Sequence, residues 1–137
     1  LQLVESLKFP VPVLVDGAHN PAGAETLRNF LAETYYGIPV TLIFGAMADK
    51  SAFEMAAALF PTGQHIILTK ADNPRAASSQ TIAEQTKKLR QDLVCTENLV
   101  EALSEAARLT PANGLIVVCG SLYLAGELLH HFTTNVD

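Results

Sequence analysis

Asp16 and His19 stand on either side of Gly17-Ala18, and Asn20-Pro21 follows at once. Together they bring a hydrogen-bond-accepting acid, an imidazole and a glycine that lets a ligand approach the backbone. The preceding run, Val11-Pro12-Val13-Leu14-Val15, has the β-branched character of a buried strand, while Asn20-Pro21 reads as an N-cap and first helical residue. Strand therefore passes into helix within about five residues. In an open α/β sheet such a corner collects ligands, because free amide groups and the positive helix end there favour an anion. Asp16, His19 and Asn20 would lie on that rim. The same residues also fit a plain turn, stabilised by Asp16 with His19 packed against it.

Three further corners carry reactive side chains. Asp72-Asn73-Pro74-Arg75 follows the apolar stretch His65–Thr69, and Arg75 is the best carboxylate anchor in the chain, because a guanidinium can grip a carboxylate through two parallel hydrogen bonds. A solvated turn with an internal Asp72–Arg75 pair would have the same composition. Gly120-Ser121-Leu122-Tyr123 follows Leu115–Cys119, with Ser121 placed to cap a final helix; Tyr123 and Leu124 read as core or interface residues. Lys50 could oppose a phosphate or carboxylate after the stretch Val40–Phe44, or be an ordinary surface lysine. His130-His131 lacks a matching Cys or acidic cluster and reads as the end of a surface helix.

The string Leu14-Val15-Asp16-Gly17-Ala18-His19-Asn20-Pro21 resembles the opening signature of the C-terminal domain of folylpolyglutamate and dihydrofolate synthases, in the Mur ligase superfamily. Phe44-Gly45-Ala46-Met47-Ala48-Asp49-Lys50, Ala71-Asp72-Asn73-Pro74-Arg75-Ala76 and Gly120-Ser121-Leu122-Tyr123-Leu124-Ala125-Gly126-Glu127 match in the same order. The resemblance implies that residues 1–137 are a single Rossmann-like, amino-acid-binding domain. It implies nucleotide contacts at Asp16, His19 and Asn20, with Asp16 accepting from a ribose hydroxyl. Glutamate contacts would fall to His19, Asp72, Asn73, Arg75 and Ser121, with Lys50 as a further candidate and no metal ligand. The reaction implied is ATP-driven: a folate carboxylate becomes an acyl phosphate, which the amine of L-glutamate attacks. A Mur ligase acting on a cell-wall precursor is the alternative enzyme, and a non-catalytic α/β binding module the alternative of another class.

The sequence lacks any Gly-x-x-x-x-Gly-Lys-[Ser/Thr] loop. The expectation is therefore that ATP and Mg2+ are bound mainly by an N-terminal ATPase domain absent from this chain, which would begin at a domain boundary. By itself the chain would be inactive. Composition excludes other classes: 49% hydrophobic and 17% charged residues suit a compact α/β protein rather than a disordered one. A net charge of −5 without a basic run argues against nucleic acid as a partner. No membrane-length apolar stretch or signal pattern occurs, which together with two widely spaced cysteines, Cys95 and Cys119, points to a cytoplasmic protein with reduced, buried thiols.

To position these corners, apolar and amphipathic segments must alternate as βα units. The expected fold is an open, mostly parallel α/β sheet of about six strands with helices on both faces. Strands are predicted at Leu3–Ser6, Val11–Val15, Val40–Phe44, His65–Thr69, Asp92–Cys95 and Leu115–Cys119, the first two as an edge hairpin across Leu7-Lys8-Phe9-Pro10. Helices are predicted at Ala22–Tyr35, Ser51–Leu59 with a Ser51/Glu54 capping box, Ser79–Gln91, Asn98–Leu109 and Leu122–Phe132.

Overall fold

In the computed structural model, residues 1–5 and 9–134 are described, and they form a six-stranded sheet with five α-helices. The strands are β1 (Gln2–Val4), β2 (Val13–Val15), β3 (Val40–Phe44), β4 (His65–Leu68), β5 (Val94–Cys95) and β6 (Leu115–Cys119). Their spatial order is β1-β2-β6-β3-β4-β5. Only the edge pair β1–β2 is antiparallel. β2 is shorter than the apolar run because Pro12 has no amide hydrogen to give to β1, so the ladder starts at Val13. Ser6, Leu7 and Lys8, which the expected hairpin uses, lie outside the described residues.

Alternating side chains feed two cores. Leu14, Leu42, Phe44, Ile66, Leu68 and Val117 face the helices α1 (Pro21–Thr34), α2 (Ala52–Leu59) and α3 (Ser79–Thr86). Val13, Val15, Ile43, Ile67, Ile116 and Val118 face α4 (Leu99–Leu109) and α5 (Leu122–Thr134). Strands buried on both faces explain why β6 is a continuous apolar run and why β3 departs from one only at Thr41, whose hydroxyl is hydrogen-bonded to that of Thr110.

Helix starts follow local chemistry. Asn20, Ser78 and Asn98 sit in extended backbone and accept hydrogen bonds from the amides of Gly23, Thr81 and Glu101. Ser51 does not: its ψ of 82° leaves the hydroxyl off the first-turn amides, and it donates to the Glu54 carboxylate instead. A related arrangement occurs at α4, where Asn98 accepts from the Glu101 amide and Glu101 accepts from the amide of Glu97, one residue before the cap.

Two elements are shorter than predicted for one reason. Arg90 donates to the carbonyls of Phe60, Gly63 and Gln64 and to the Asp92 carboxylate. Those bonds anchor the chain one turn beyond Thr86, so that α3 does not run on to Gln91, and they hold Asp92 outside β5. Because β5 is a two-residue edge strand, the Cys95 thiol is exposed rather than buried. Cys119 is buried, as expected.

Candidate functional site

The strand order creates a crevice at the carboxyl end of β6. From β2 and β3, which flank it, the chain turns toward α1 and α2 on one face; from β6 it turns toward α5 on the other. Ligands bind at such a reversal point because the diverging loops leave a gap over the strand ends. Backbone bonds tie the loops together: Asp16 N–H donates to Val118 O, Gly45 N–H to Cys119 O, and Gly120 N–H to Ala18 O. Gly120, at φ +108°, is required here, since a Cβ would collide with the Gly45 carbonyl oxygen.

A pocket of about 210 Å³ opens on this rim, between His19, Met47, Asp49, Lys50, Arg75, Leu122 and Tyr123. It gathers three of the sequence-predicted residues, His19, Lys50 and Arg75, from three different strand ends. Asp16, Asn20, Asp72, Asn73 and Ser121 do not line it. Three larger hollows, about 420, 700 and 390 Å³, lie elsewhere, the first and third near the amino end of β3 beside Pro61. The 700 Å³ hollow lies on the sheet's edge beside α3 and Cys95, whereas the 210 Å³ pocket is lined by the segments that follow β2, β3, β4 and β6, at the crevice.

His19 Nδ1 lies 3.0 Å from the Gly17 carbonyl oxygen. A carbonyl only accepts, so Nδ1 carries the proton, and in the neutral ring Nε2 remains an acceptor. Arg75 is exposed, and its Nη2 donates to the Tyr123 hydroxyl at 3.3 Å. It forms no ion pair with Asp72 among the described residues. Two cations, Lys50 and Arg75, face one carboxylate, Asp49, so the pocket is locally positive on a chain of net charge −5. Such a site suits a small anion with an apolar portion, since Met47 and Leu122 form its walls.

The remaining candidates have structural duties. Asp16 Oδ1 accepts from the Ala18 amide, leaving Oδ2 for a ligand; the Asn20 oxygen caps α1. Ser121, fully buried, accepts from the Tyr123 and Leu124 amides at the start of α5. Asn73 Oδ1 accepts from the Arg75 amide, and the Asp72 amide donates to Glu127. Behind Asp16, burial and then the Asp16 charge push the Cys119 thiol far above its ordinary value, so it is no nucleophile. Among the described residues no cluster of three or more His, Cys, Asp or Glu could hold a metal ion. No described helix is long and apolar enough to cross a membrane.

Sequence reasoning missed Tyr123 as a site residue. It is 48% exposed and lines the pocket, whereas Leu124 beside it is fully buried as expected. An aromatic in the first turn of a helix that starts at a strand's carboxyl end was the available signal.

Comparison with known proteins gives the chain and its fold a family. Residues 1–122 match the family described as Mur ligase, glutamate ligase domain. The chain is 31% identical over 128 residues to the dihydrofolate synthetase of Saccharomyces cerevisiae, covering 87% of this chain and 30% of the relative. It is 31% identical over 108 residues to the dihydrofolate synthase/folylpolyglutamate synthase of Mycobacterium tuberculosis, covering 77% and 22%. The structure of Mycobacterium tuberculosis folylpolyglutamate synthase complexed with ADP superposes with a TM-score of 0.86 at 26% identity, over all of this chain and 32% of that one. The fold also matches the Yersinia pestis bifunctional folylpolyglutamate synthase/dihydrofolate synthase complexed with AMPPNP and a Mn ion, with a TM-score of 0.80. The chain thus spans less than a third of the length of each of these relatives. With a family match over most of its length and the same six-stranded architecture, this chain belongs to the Mur ligase glutamate-ligase domain family.

Proposed function

We propose that residues 1–137 form the C-terminal, amino-acid-binding domain of a cytoplasmic, ATP-dependent ligase that adds L-glutamate to a folate, with or without dihydrofolate synthase activity. The observation that carries this reading is the locally positive pocket that brings His19, Lys50 and Arg75 together over the carboxyl ends of the strands. Relatives named for folate ligation support the choice of substrates.

In this reading the Arg75 guanidinium takes one glutamate carboxylate in a two-pronged grip, and Lys50 offsets the second. His19 Nε2 accepts a hydrogen bond from the incoming amine. The free oxygen of Asp16 accepts from a nucleotide ribose hydroxyl, while Asn20 presents the N-terminus of α1 alongside it. Asn73 shapes the turn that presents Arg75; Asp72 and Ser121 contribute through the backbone they hold. ATP would thus meet this domain at Asp16. Mg2+ would be held mainly by an N-terminal ATPase domain, where it would neutralise the phosphates. Closure of the two domains would complete the site and exclude water.

The test is glutamate ligation by the complete protein, compared with the same assay on this chain alone. Arg75→Ala and His19→Ala in the complete protein should cut turnover at limiting glutamate by more than their effect on melting temperature. Losing a charge-assisted contact of about 1.5–3 kcal/mol corresponds to roughly ten- to a hundredfold in the glutamate KM. Ligation by the chain alone, or transfer of an amino acid to a uridine-nucleotide substrate rather than a folate, would overturn the reading.

A further inference from the structure

Two residues of α5 reach across to the loop that carries Arg75. Tyr123 and Glu127 are four apart, so they stand on one face of the helix, one turn above the other. The Tyr123 hydroxyl accepts from Arg75 Nη2 at 3.3 Å, and Glu127 Oε1 accepts from the Asp72 amide at 3.0 Å. The helix thereby holds both ends of the four-residue turn Asp72-Asn73-Pro74-Arg75.

The far side of the turn is held as well. Ala48 N–H donates to Arg75 O at 2.8 Å, Ala77 N–H donates to Ala46 O at 3.0 Å, and Met47 and Ala76 form an antiparallel bridge. Asn73 Oδ1 takes the Arg75 amide. The backbone of Arg75 is therefore bonded at both its N–H and its C=O, and the freedom left to it is that of a long side chain. An arginine without a brace samples many rotamers, and fixing it on binding would weaken affinity for its ligand. The brace is stiff, because Leu124 and Leu128 on the same helix are fully buried against the sheet and Ser121 caps its start.

We propose that Tyr123 and Glu127 are positioning residues that aim the Arg75 guanidinium over the pocket and so set the affinity for the carboxylate of the incoming amino acid. This rests on Arg75 being the carboxylate anchor. Tyr123 acts directly on the guanidinium, and Glu127 acts by fixing the start of the turn. Both residues come from the segment that follows β6, while Arg75 comes from the segment that follows β4. Glutamate affinity would thereby depend on how α5 docks, not on the Arg75 loop alone.

The test is steady-state kinetics of the complete ligase with glutamate and with ATP varied separately. Tyr123→Phe removes one oxygen and keeps the ring. The glutamate KM should rise by about two- to tenfold, the range of one hydrogen bond, with the ATP KM unmoved. Glu127→Ala should also raise the glutamate KM, and Glu127→Gln, whose side-chain oxygen can still accept from the Asp72 amide, should restore it. In an Arg75→Ala background, Tyr123→Phe should add nothing. If Tyr123→Phe leaves the glutamate KM unchanged while Arg75→Ala raises it, the positioning role fails and the anchor stands. A Tyr123→Phe effect that persists without Arg75 would mean the hydroxyl touches substrate itself, which also overturns the proposal. No effect of Arg75→Ala would remove the anchor and the brace together.

Discussion

Gly120→Ala is the change that most directly tests how the strand ends are assembled. At φ +108° an L side chain is strained, at a cost of roughly 1–3 kcal/mol. The new methyl would also collide with Gly45 O and lie 3.1 Å from Phe44 Cδ1. Neither neighbour is a flexible tip. Gly45 is bonded to Cys119 through its amide, and its own Cα backs onto the Thr69 carbonyl, where a Cβ would sit at 2.9 Å; Phe44 is fully buried. Overpacking of this kind costs about 1–3 kcal/mol, so the combined loss should be about 2–6 kcal/mol, a large part of the roughly 5–15 kcal/mol typical of a domain. Urea denaturation followed by circular dichroism measures it. Two glycines serve as controls. Gly37→Ala, at φ +78° with nothing within 4 Å, should show the backbone strain alone; Gly126→Ala, in the open flank of α5, should stabilise by about 0.5–1 kcal/mol. If Gly120→Ala costs no more than Gly37→Ala, the close approach of β6 to the β3 corner does not constrain the fold, and the reasoning is refuted.

Arg90→Ala should destabilise by about 2–4 kcal/mol in the same denaturation assay, because it strands the Gly63 carbonyl and removes bonds to those of Phe60 and Gln64; a loss comparable to an exposed salt bridge would sink the idea. Asp92 has its carboxyl held below the ordinary 3.8, first by the hydrogen bond from Arg90. Its contribution is complete above the unfolded value and is lost as pH falls below 3.8, so Asp92→Asn should lower stability slightly at about pH 6 and leave it unchanged at about pH 2, as read from melting temperatures. A colorimetric thiol reagent should titrate Cys95 rapidly in the native chain and Cys119 only after unfolding; two fast thiols would contradict the burial of Cys119. Thr69 is fully buried with its hydroxyl unpaired among the described residues, so Thr69→Val should raise stability by about 1 kcal/mol, and a fall in the denaturation midpoint would point to a partner for that hydroxyl.

Much of the architecture was legible because it depends on near neighbours in sequence. The bounds of β3 and β6 follow from runs that are apolar but for Thr41, and the starts of α1 and α4 coincide with asparagine caps. The corners at Asp16, Lys50, Asp72 and Ser121 follow, because each ends such a run. What the sequence could not decide depends on residues far apart in it. Nothing in the run Leu115–Cys119 says that β6 inserts between β2 and β3, yet that insertion creates the crevice. Helix α3 stops at Thr86 because Arg90 finds carbonyls 26 to 30 residues back, a competition that local periodicity does not register. Ser51 has the composition of a cap and the wrong ψ for one. Cys95 lies in an apolar stretch but on an edge strand, and edge position is a property of the sheet. Asp16, Asn20 and Ser121 were recognisable as polar residues at corners; only the folded chain commits oxygens of each to local backbone amides. Tyr123 and Arg75, 48 positions apart, meet only because α5 packs beside the loop after β4. Residue type and short spacing determine which chemistry is available at each corner, whereas long-range packing determines which corners face one another, since strand order and helix docking are set by the burial of the whole sheet.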